Sequence, residues 1–361
     1  MIWNKSPFNL ILGGGGVKGL AYVGVFEEAE ARNIRWGSIV GVSAGAVAGS
    51  FLGAGYSSSH LRSVIDAFDM EKIDITNVEK KVPAVAKYMQ FCKDNRYTGM
   101  EGIYRFLNLE FTDNISMEDL PDQERGTLAD ILKSIATLAK EGCLFDGDYL
   151  EEWVARVLAE KGIFTFADLR GGVPDRVNPR GYKVRMTAVD VNRARIVILP
   201  DDMIYYGIDP DRFSVAKAVR MSTCVPFVFK PVEIKKMEGG SWKVHYFVDG
   251  GMLDGFPFWG VDNSSSIPAV GFTLGGGIKK KPFSIDTSVD VLKALVSAVH
   301  DIGVPKDAYK TKYTVDIDAS KVDFLDFHLD GEQKEYLYSA GKIAARKLFD
   351  KVEYDMAFTG L

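Results

Sequence analysis

Cysteine is scarce in this chain. Its 361 residues include three, Cys92, Cys143 and Cys224, an odd number with no Cys-x-x-Cys pair and no zinc-type spacing. That argues against a disulfide framework and a structural zinc centre, and reduced thiols point to the cytoplasm. Histidine is as sparse: His60, His245, His300 and His328 are the four, and none stands in a recognisable catalytic context. The one basic run is Lys279, Lys280 and Lys281, and the formal net charge is −5, so nothing marks nucleic acid as the main partner. Internal repeats, low-complexity tracts and long linkers are missing too, so one compact unit is expected over residues 1–361.

Long apolar runs are also lacking. The nearest thing to a membrane span, residues 39–56, is uncharged but holds five glycines and two serines. A buried strand, a turn and a helix account for that composition more simply than a bilayer crossing. At the N-terminus, Leu10, Ile11 and Leu12 run straight into glycines, too short a stretch for a secretory signal and with no cleavage site after it. A cytoplasmic protein is expected, with export lacking a signal peptide left open.

An apolar fraction of 47% leaves ample material for a core. The opening alternates strand and helix: a strand over 8–12, a helix over 17–32, a strand over 38–42 and a small-residue helix over 44–54. That alternation predicts a parallel sheet covered on both faces. From 57 to 166 the pattern becomes helical and richer in charge, with helices expected over 60–68, 84–92, 100–109, 128–141 and 149–161. This stretch reads as an insertion lying over one end or face of the sheet. Strands return at 182–190 and 195–199, followed by a helix over 215–222 and a hairpin of 230–236 with 242–248 around Gly239 and Gly240. A strand over 269–274 and helices over 289–302 and 331–349 complete the C-terminal portion, 263–361.

Three pieces carry chemistry. Ser43 sits in Gly41-Val42-Ser43-Ala44-Gly45, a Gly-x-Ser-x-Gly pentapeptide between an expected strand and an expected helix. Glycines on both sides of the serine permit a strained strand-to-helix turn that lifts the hydroxyl clear of the sheet. A serine hydroxyl also needs a base and donors for the oxyanion that develops on its substrate.

The segment Gly14-Gly15-Gly16-Val17-Lys18-Gly19 matches Gly-x-Gly-x-x-Gly, a dinucleotide fingerprint. That motif needs an acid at the end of the next strand, where this chain has Val40 to Val42 and then Ser43. A phosphate-binding loop fails as well, because Gly19 follows Lys18 in place of Ser or Thr. Glycine N–H groups at a helix start, facing an oxyanion, fit these neighbours better.

Asp249 ends an apolar strand and opens Asp249-Gly250-Gly251, at the sheet end where α/β sites form. On its own it reads more plainly as an Asp-Gly turn. An aspartate with its ordinary pKa, near 4, is a weak base, though burial or a tight hydrogen bond to serine offsets that.

In this order and spacing, the three pieces resemble the patatin-like phospholipase family. The similarity extends over nearly the whole chain, through Gly147-Asp148-Tyr149-Leu150-Glu151-Glu152-Trp153, Thr165-Phe166-Ala167-Asp168-Leu169, Ala218-Val219-Arg220-Met221-Ser222 and Val248-Asp249-Gly250-Gly251-Met252-Leu253. The resemblance implies a three-layer α/β/α fold with a mainly parallel sheet. It implies hydrolysis of lipid acyl esters, of phospholipids or lysophospholipids, by a Ser43–Asp249 dyad without histidine, through an acyl-enzyme. The alternatives are a general carboxylesterase or thioesterase without phospholipid preference and a catalytically silent lipid-binding protein. Gly14, Gly15 and Gly16, with Ala44, are then expected to form the oxyanion hole. No cofactor or metal is implied, and the expected partner is a lipid or acyl ester, with transient contact at a membrane surface.

One departure is Lys18, where the family more often carries arginine and its planar fork. Aromatic residues Phe227, Phe229, Phe256, Phe258 and Trp259 are expected in the core, a minority of them lining an acyl channel. Tyr88, Phe91, Tyr104, Phe106 and Leu107 in the insertion are candidates for a lid, against ordinary helix packing.

Overall fold

Three strands, β1 (Phe8–Leu12), β2 (Trp36–Val42) and β3 (Val184–Asp190), are buried along almost their whole length. Their sequences are mainly apolar on both faces, as strands covered on both sides require, with Asn9, Ser38, Arg185, Thr187 and Asp190 as buried polar exceptions. The structure is a computed structural model that describes residues 7–72, 145, 147–226, 228–262, 267–275 and 312–359. Its sheet has eight strands in the order β5-β6-β3-β2-β1-β7-β8, with β4 paired to β3 off this path. The others are β4 (Arg195–Leu199), β5 (Val232–Glu238), β6 (Ser241–Asp249), β7 (Ala269–Thr273) and β8 (Thr314–Asp316). Strands β3, β2, β1, β7 and β8 run parallel, and β4, β5 and β6 add antiparallel pairings at one side.

Alternation along the strands sorts the two faces. Leu10, Leu12, Ile39, Val184, Met186 and Phe272 join the large core under the helices. Ile11 and Val40 point the other way, into a smaller cluster with Phe256 and Val261. The large layer contains α1 (Ala21–Ala31), α2 (Ala44–Gly53), α5 (Val215–Ser222) and α6 (Gly331–Thr359), with α3 (Ser58–Asp66) against α1 and α4 (Asp148–Ala159) against α5. The architecture is three-layer α/β/α.

The sequence reading places no strand at β8; its other differences from the described elements lie at element ends. The helix expected over 17–32 begins as a 3-10 turn, Gly16–Leu20, and becomes α-helical at Ala21. The last helix runs ten residues past 349, to Thr359. Residues 39–56 resolve into β2, the serine turn and α2, and no described helix is long and apolar enough to cross a membrane. The helices expected over 84–92, 100–109, 128–141 and 289–302 lie outside the described residues, as do the five lid candidates.

α1 and α6 cross at backbone distance. A Cβ added to Gly24 would stand 1.9 Å from the Tyr338 carbonyl oxygen, and one on Gly341 1.8 Å from that of Ala21. Both glycines are helical, so close approach rather than a special dihedral requires them. Gly24→Ala and Gly341→Ala are therefore expected to destabilise the fold by about 1–3 kcal/mol each, although alanine is the better helix former. Urea unfolding of the two variants checks this, and a gain in stability would contradict the crossing.

Candidate active site

The site forms where two strands meet end to end. β4 pairs with β3 along Met186 to Asp190 and occupies one edge of that strand. β2 and β6 share the other edge. The Ile39 N–H donates to the Lys183 carbonyl, and the Val191 N–H donates to the Tyr246 carbonyl. Residues 183 and 191 differ by an even number, so these groups lie on the same side of the strand. β2 runs parallel to β3 until Val42 stands opposite Thr187, and β6 arrives from the other direction until Asp249 stands opposite Ala188. The residue after Val42 is Ser43. Two segments 206 residues apart in the chain are thus delivered to adjacent positions along one edge, and Ser43 Oγ donates to Asp249 Oδ2 at 2.6 Å.

Ser43 is buried and takes φ 53° and ψ −120°, a backbone conformation that side chains normally avoid. Such a residue costs on the order of 1–3 kcal/mol and persists only where its surroundings dictate it. Here the turn is closed by direct contact. A Cβ on Gly41 would lie 2.3 Å from the Gly45 carbonyl oxygen, and one on Gly45 2.2 Å from that of Leu12. The start of α2 therefore sits on the ends of β1 and β2 at a distance no larger residue permits.

The C-terminal end of α5 holds both members of the pair. Ser222, fully buried, accepts the Ser43 N–H on its Oγ at 3.0 Å. Two residues on, the Cys224 carbonyl accepts the Asp249 N–H at 2.8 Å. Asp249 Oδ1 accepts the Gly251 N–H at 2.7 Å, which leaves Oδ2 directed at the serine. Burial pushes the Cys224 thiol above its ordinary pKa, and the nearby Asp249 charge adds to that, so the sulfur behind the pair stays neutral.

The glycine turn closes the opposite side. The Gly14 N–H donates to the Gly255 carbonyl at 3.0 Å, which removes it from the set of donors expected from the sequence, because an amide carries one proton. Gly15, Gly16 and Ala44 show no protein acceptor for their N–H groups among the described residues. Gly16 has φ 55°, and a Cβ there would lie 2.1 Å from the Phe324 carbonyl oxygen. Ala44 is the first residue of α2, where the helix leaves N–H groups unpaired and favours negative charge.

Beneath the serine lies a cavity of about 140 Å³. Ser43, Ala44 and Gly16 are part of its lining, and apolar side chains from α1, α2, α3 and α4 form most of the wall. Val47, Ala48 and Phe51 line it from α2, following Ala44 at helical spacing.

Of the aromatic residues singled out in the sequence, Phe229 lines this cavity. Phe256 and Phe258 pack on the opposite face of the sheet, Trp259 donates to Asp254, and Phe227 lies outside the described residues. Sequence reasoning missed Phe51, Phe68 and Trp153, which shape the cavity from three different elements. It also missed Ser222. The helical stripe from Ala44 to Phe51 was the one signal available for the cavity.

Among the described histidines, none contacts Ser43. His245 pairs with buried Asp190 at 2.9 Å, and His60 lies beside Glu160 on the surface. Among the described residues, no group of His, Cys, Asp or Glu is arranged to hold a metal ion.

A family model described as Patatin-like phospholipase matches residues 10–262. An uncharacterized protein of Bacillus subtilis, YqhO, is 29% identical over 341 residues, covering 92% of this chain and 94% of its own. Among solved structures, VipD from Legionella pneumophila aligns with 96% of this chain and 67% of its own length, at 18% identity and a TM-score of 0.49. ExoU from Pseudomonas aeruginosa, in complex with SpcU, aligns with 96% of this chain at 16% identity and a TM-score of 0.40. This chain spans 52%, about half, of that structure's length.

The backbone strain at Ser43 makes an unusual ordering of variants. At an ordinary position alanine is more stable than glycine, but glycine relieves a positive φ that alanine retains. Ser43→Gly is expected to be more stable than Ser43→Ala by roughly 1 kcal/mol. Both lose the same hydroxyl, so denaturant unfolding isolates the backbone; the reverse order would mean the turn is unstrained.

Proposed function

This chain belongs to the patatin-like phospholipase family, a family of lipid hydrolases, and on that premise we propose that it cleaves acyl esters of phospholipids or lysophospholipids through Ser43 and Asp249. The observation that carries the reading is the 2.6 Å hydrogen bond from Ser43 Oγ to Asp249 Oδ2, above an apolar cavity. That distance lies in the range of a hydroxyl donating to a carboxylate.

In this mechanism Ser43 Oγ attacks the ester carbonyl carbon while its proton passes to Asp249 Oδ2. The carbonyl oxygen becomes an oxyanion and accepts from the N–H groups of Gly15, Gly16 and Ala44, with the α2 dipole behind them. The tetrahedral intermediate collapses, the C–O bond to the alcohol breaks, and the departing oxygen takes the proton from Asp249. Water then gives a proton to Asp249 and attacks the acyl-enzyme. Collapse of the second intermediate returns the proton to Ser43 and releases the fatty acid. Asp249 accepts and returns one proton in each half-reaction, so no histidine is required.

Ser222 and Cys224 position the pair in this scheme without touching substrate. The Ser43 N–H is held by Ser222, so the direction of the nucleophile depends on a side chain that takes no part in bond making.

Ser43→Ala and Asp249→Ala are each expected to lower turnover at least ~10³-fold with the fold retained. A fluorophosphonate probe is expected to label Ser43 in the wild type and to leave Ser43→Ala unmodified. Near-normal hydrolysis by either variant would sink the dyad. Ser222→Ala is expected to lower kcat roughly tenfold or more with KM little changed, because a displaced nucleophile loses rate before it loses binding. Ser222→Thr keeps the acceptor and should restore most of the rate. A rise in KM alone would instead place Ser222 in substrate binding.

A further inference from the structure

Phe51, about two turns along α2 from Ala44, and Phe68 and Trp153 also line the cavity beside Ser43, and that span bears on the acyl group that fits. Resting on the reading of Ser43 as nucleophile, we infer that this cavity measures acyl length and that the enzyme prefers medium-chain acids, of about six to eight carbons.

Two independent quantities lead to that length. The first is volume. The partly open cavity offers about 140 Å³, and a closed engineered protein cavity of about 150 Å³ holds benzene, six carbons. The second is depth. The α2 stripe that lines the cavity runs from Ala44, beside the nucleophile, to Phe51, seven residues on. At about 1.5 Å per residue this is about 10 Å. An extended hydrocarbon advances about 1.25 Å per carbon, from ordinary bond lengths and tetrahedral angles, so about eight carbons reach Phe51. Helical side chains lean toward the N-terminus, which brings the Phe51 ring nearer the serine and shortens that figure.

The Phe51 end of that span is built to stay in place. Phe51 meets the Trp153 ring edge-on at 5.4 Å between centroids, and Trp153 meets Phe68 at 4.5 Å. These three residues come from α2, α4 and the segment after α3, and all are buried. A group drawn from three elements resists displacement more than one side chain does, because Trp153 is held between Phe51 and Phe68. A chain longer than the cavity must bend back out or push the group aside, and both lose transition-state binding without affecting the reacting atoms. Among the described residues the walls carry no charged side chain, and the Tyr22 and Thr223 hydroxyls that line them donate to the Gly13 and Val219 carbonyls, so length is the property the pocket can discriminate.

The test is a series of 4-nitrophenyl esters from two to sixteen carbons at fixed detergent concentration, read as kcat/KM. The wild type is expected to peak at six to eight carbons and to fall at least tenfold by sixteen. Phe51→Ala removes part of this group and should move the peak to longer esters by about four carbons. Ala48→Leu fills the shaft nearer the serine and should move it to shorter ones. The second variant keeps the test decisive if the first fails to fold, which circular dichroism reports. A wild-type peak at twelve carbons or more, or a peak left unmoved by a folded variant, overturns the length assignment. If no ester is cleaved and no fluorophosphonate attaches to Ser43, the catalytic reading fails and the length assignment falls with it. If Ser43 is labelled and esters are cleaved, chain length alone decides.

Discussion

The site depends on one edge of β3. Along that edge β2 ends opposite Thr187 and β6 ends opposite Ala188, so the residues that follow or finish those strands have nowhere to go but toward each other. A parallel strand and an antiparallel strand approaching from opposite directions place a serine hydroxyl and a carboxylate within hydrogen-bond reach, with no loop needed to carry either. The precision comes from backbone ladders, which are stiffer than side-chain contacts. It explains how a buried, two-residue site is assembled from segments far apart in the chain.

Around that junction, the strain in the Ser43 backbone is opposed on three sides. Gly41 and Gly45 let α2 close on the sheet, Ser222 takes the Ser43 N–H, and the glycine turn packs against Ala44, where a Cβ on Gly19 would stand 2.7 Å from the Ala44 Cβ. The glycine turn is in turn held from elsewhere. Gly13 donates to Phe272 on β7, Gly14 to Gly255 and Val17 to Phe324. Phe324 and the α6 helix that packs on α1 lie beyond residue 262, where the family match ends. The C-terminal portion thus shapes the donor side of the site, although no chemistry-bearing motif points to it.

The sheet also separates two kinds of polar residue. Ser43 and Asp249 stand at the strand ends, where the cavity opens. Arg185 and Thr187 point to the opposite face, where Arg185 donates to the carbonyls of Val177 and Gly260 and anchors the chain that follows Asp249. His245 and Asp190 form a buried pair with Tyr206 farther along the same strands. Such clusters look functional in a residue count; hydrogen bonds within the fold account for the Arg185 terminal nitrogens, Asp190 and Tyr206, whereas Thr187 Oγ1, Arg185 Nε and His245 Nε2 are buried without a hydrogen-bond partner among the described residues.

By itself the sequence determined the local features of this protein. A strand, a serine between glycines and a small-residue helix follow from 38–54 because turn strain and close packing are local constraints. The alternation of strand and helix over residues 8–54 likewise announces a sheet covered on both faces. Asp249 alone reads as a turn residue, and the role proposed for it rests on the resemblance carried by all three motifs together. The tertiary structure decided the rest. That Gly14 spends its N–H on Gly255 depends on a partner 241 residues away in the sequence, whose carbonyl direction no local pattern encodes. Ser222 and the Phe51–Trp153–Phe68 group are set the same way, by which surfaces of separate helices come to face each other. Periodicity says that such residues are buried, whereas what they are buried against, and hence what they do, is a property of the assembled layers.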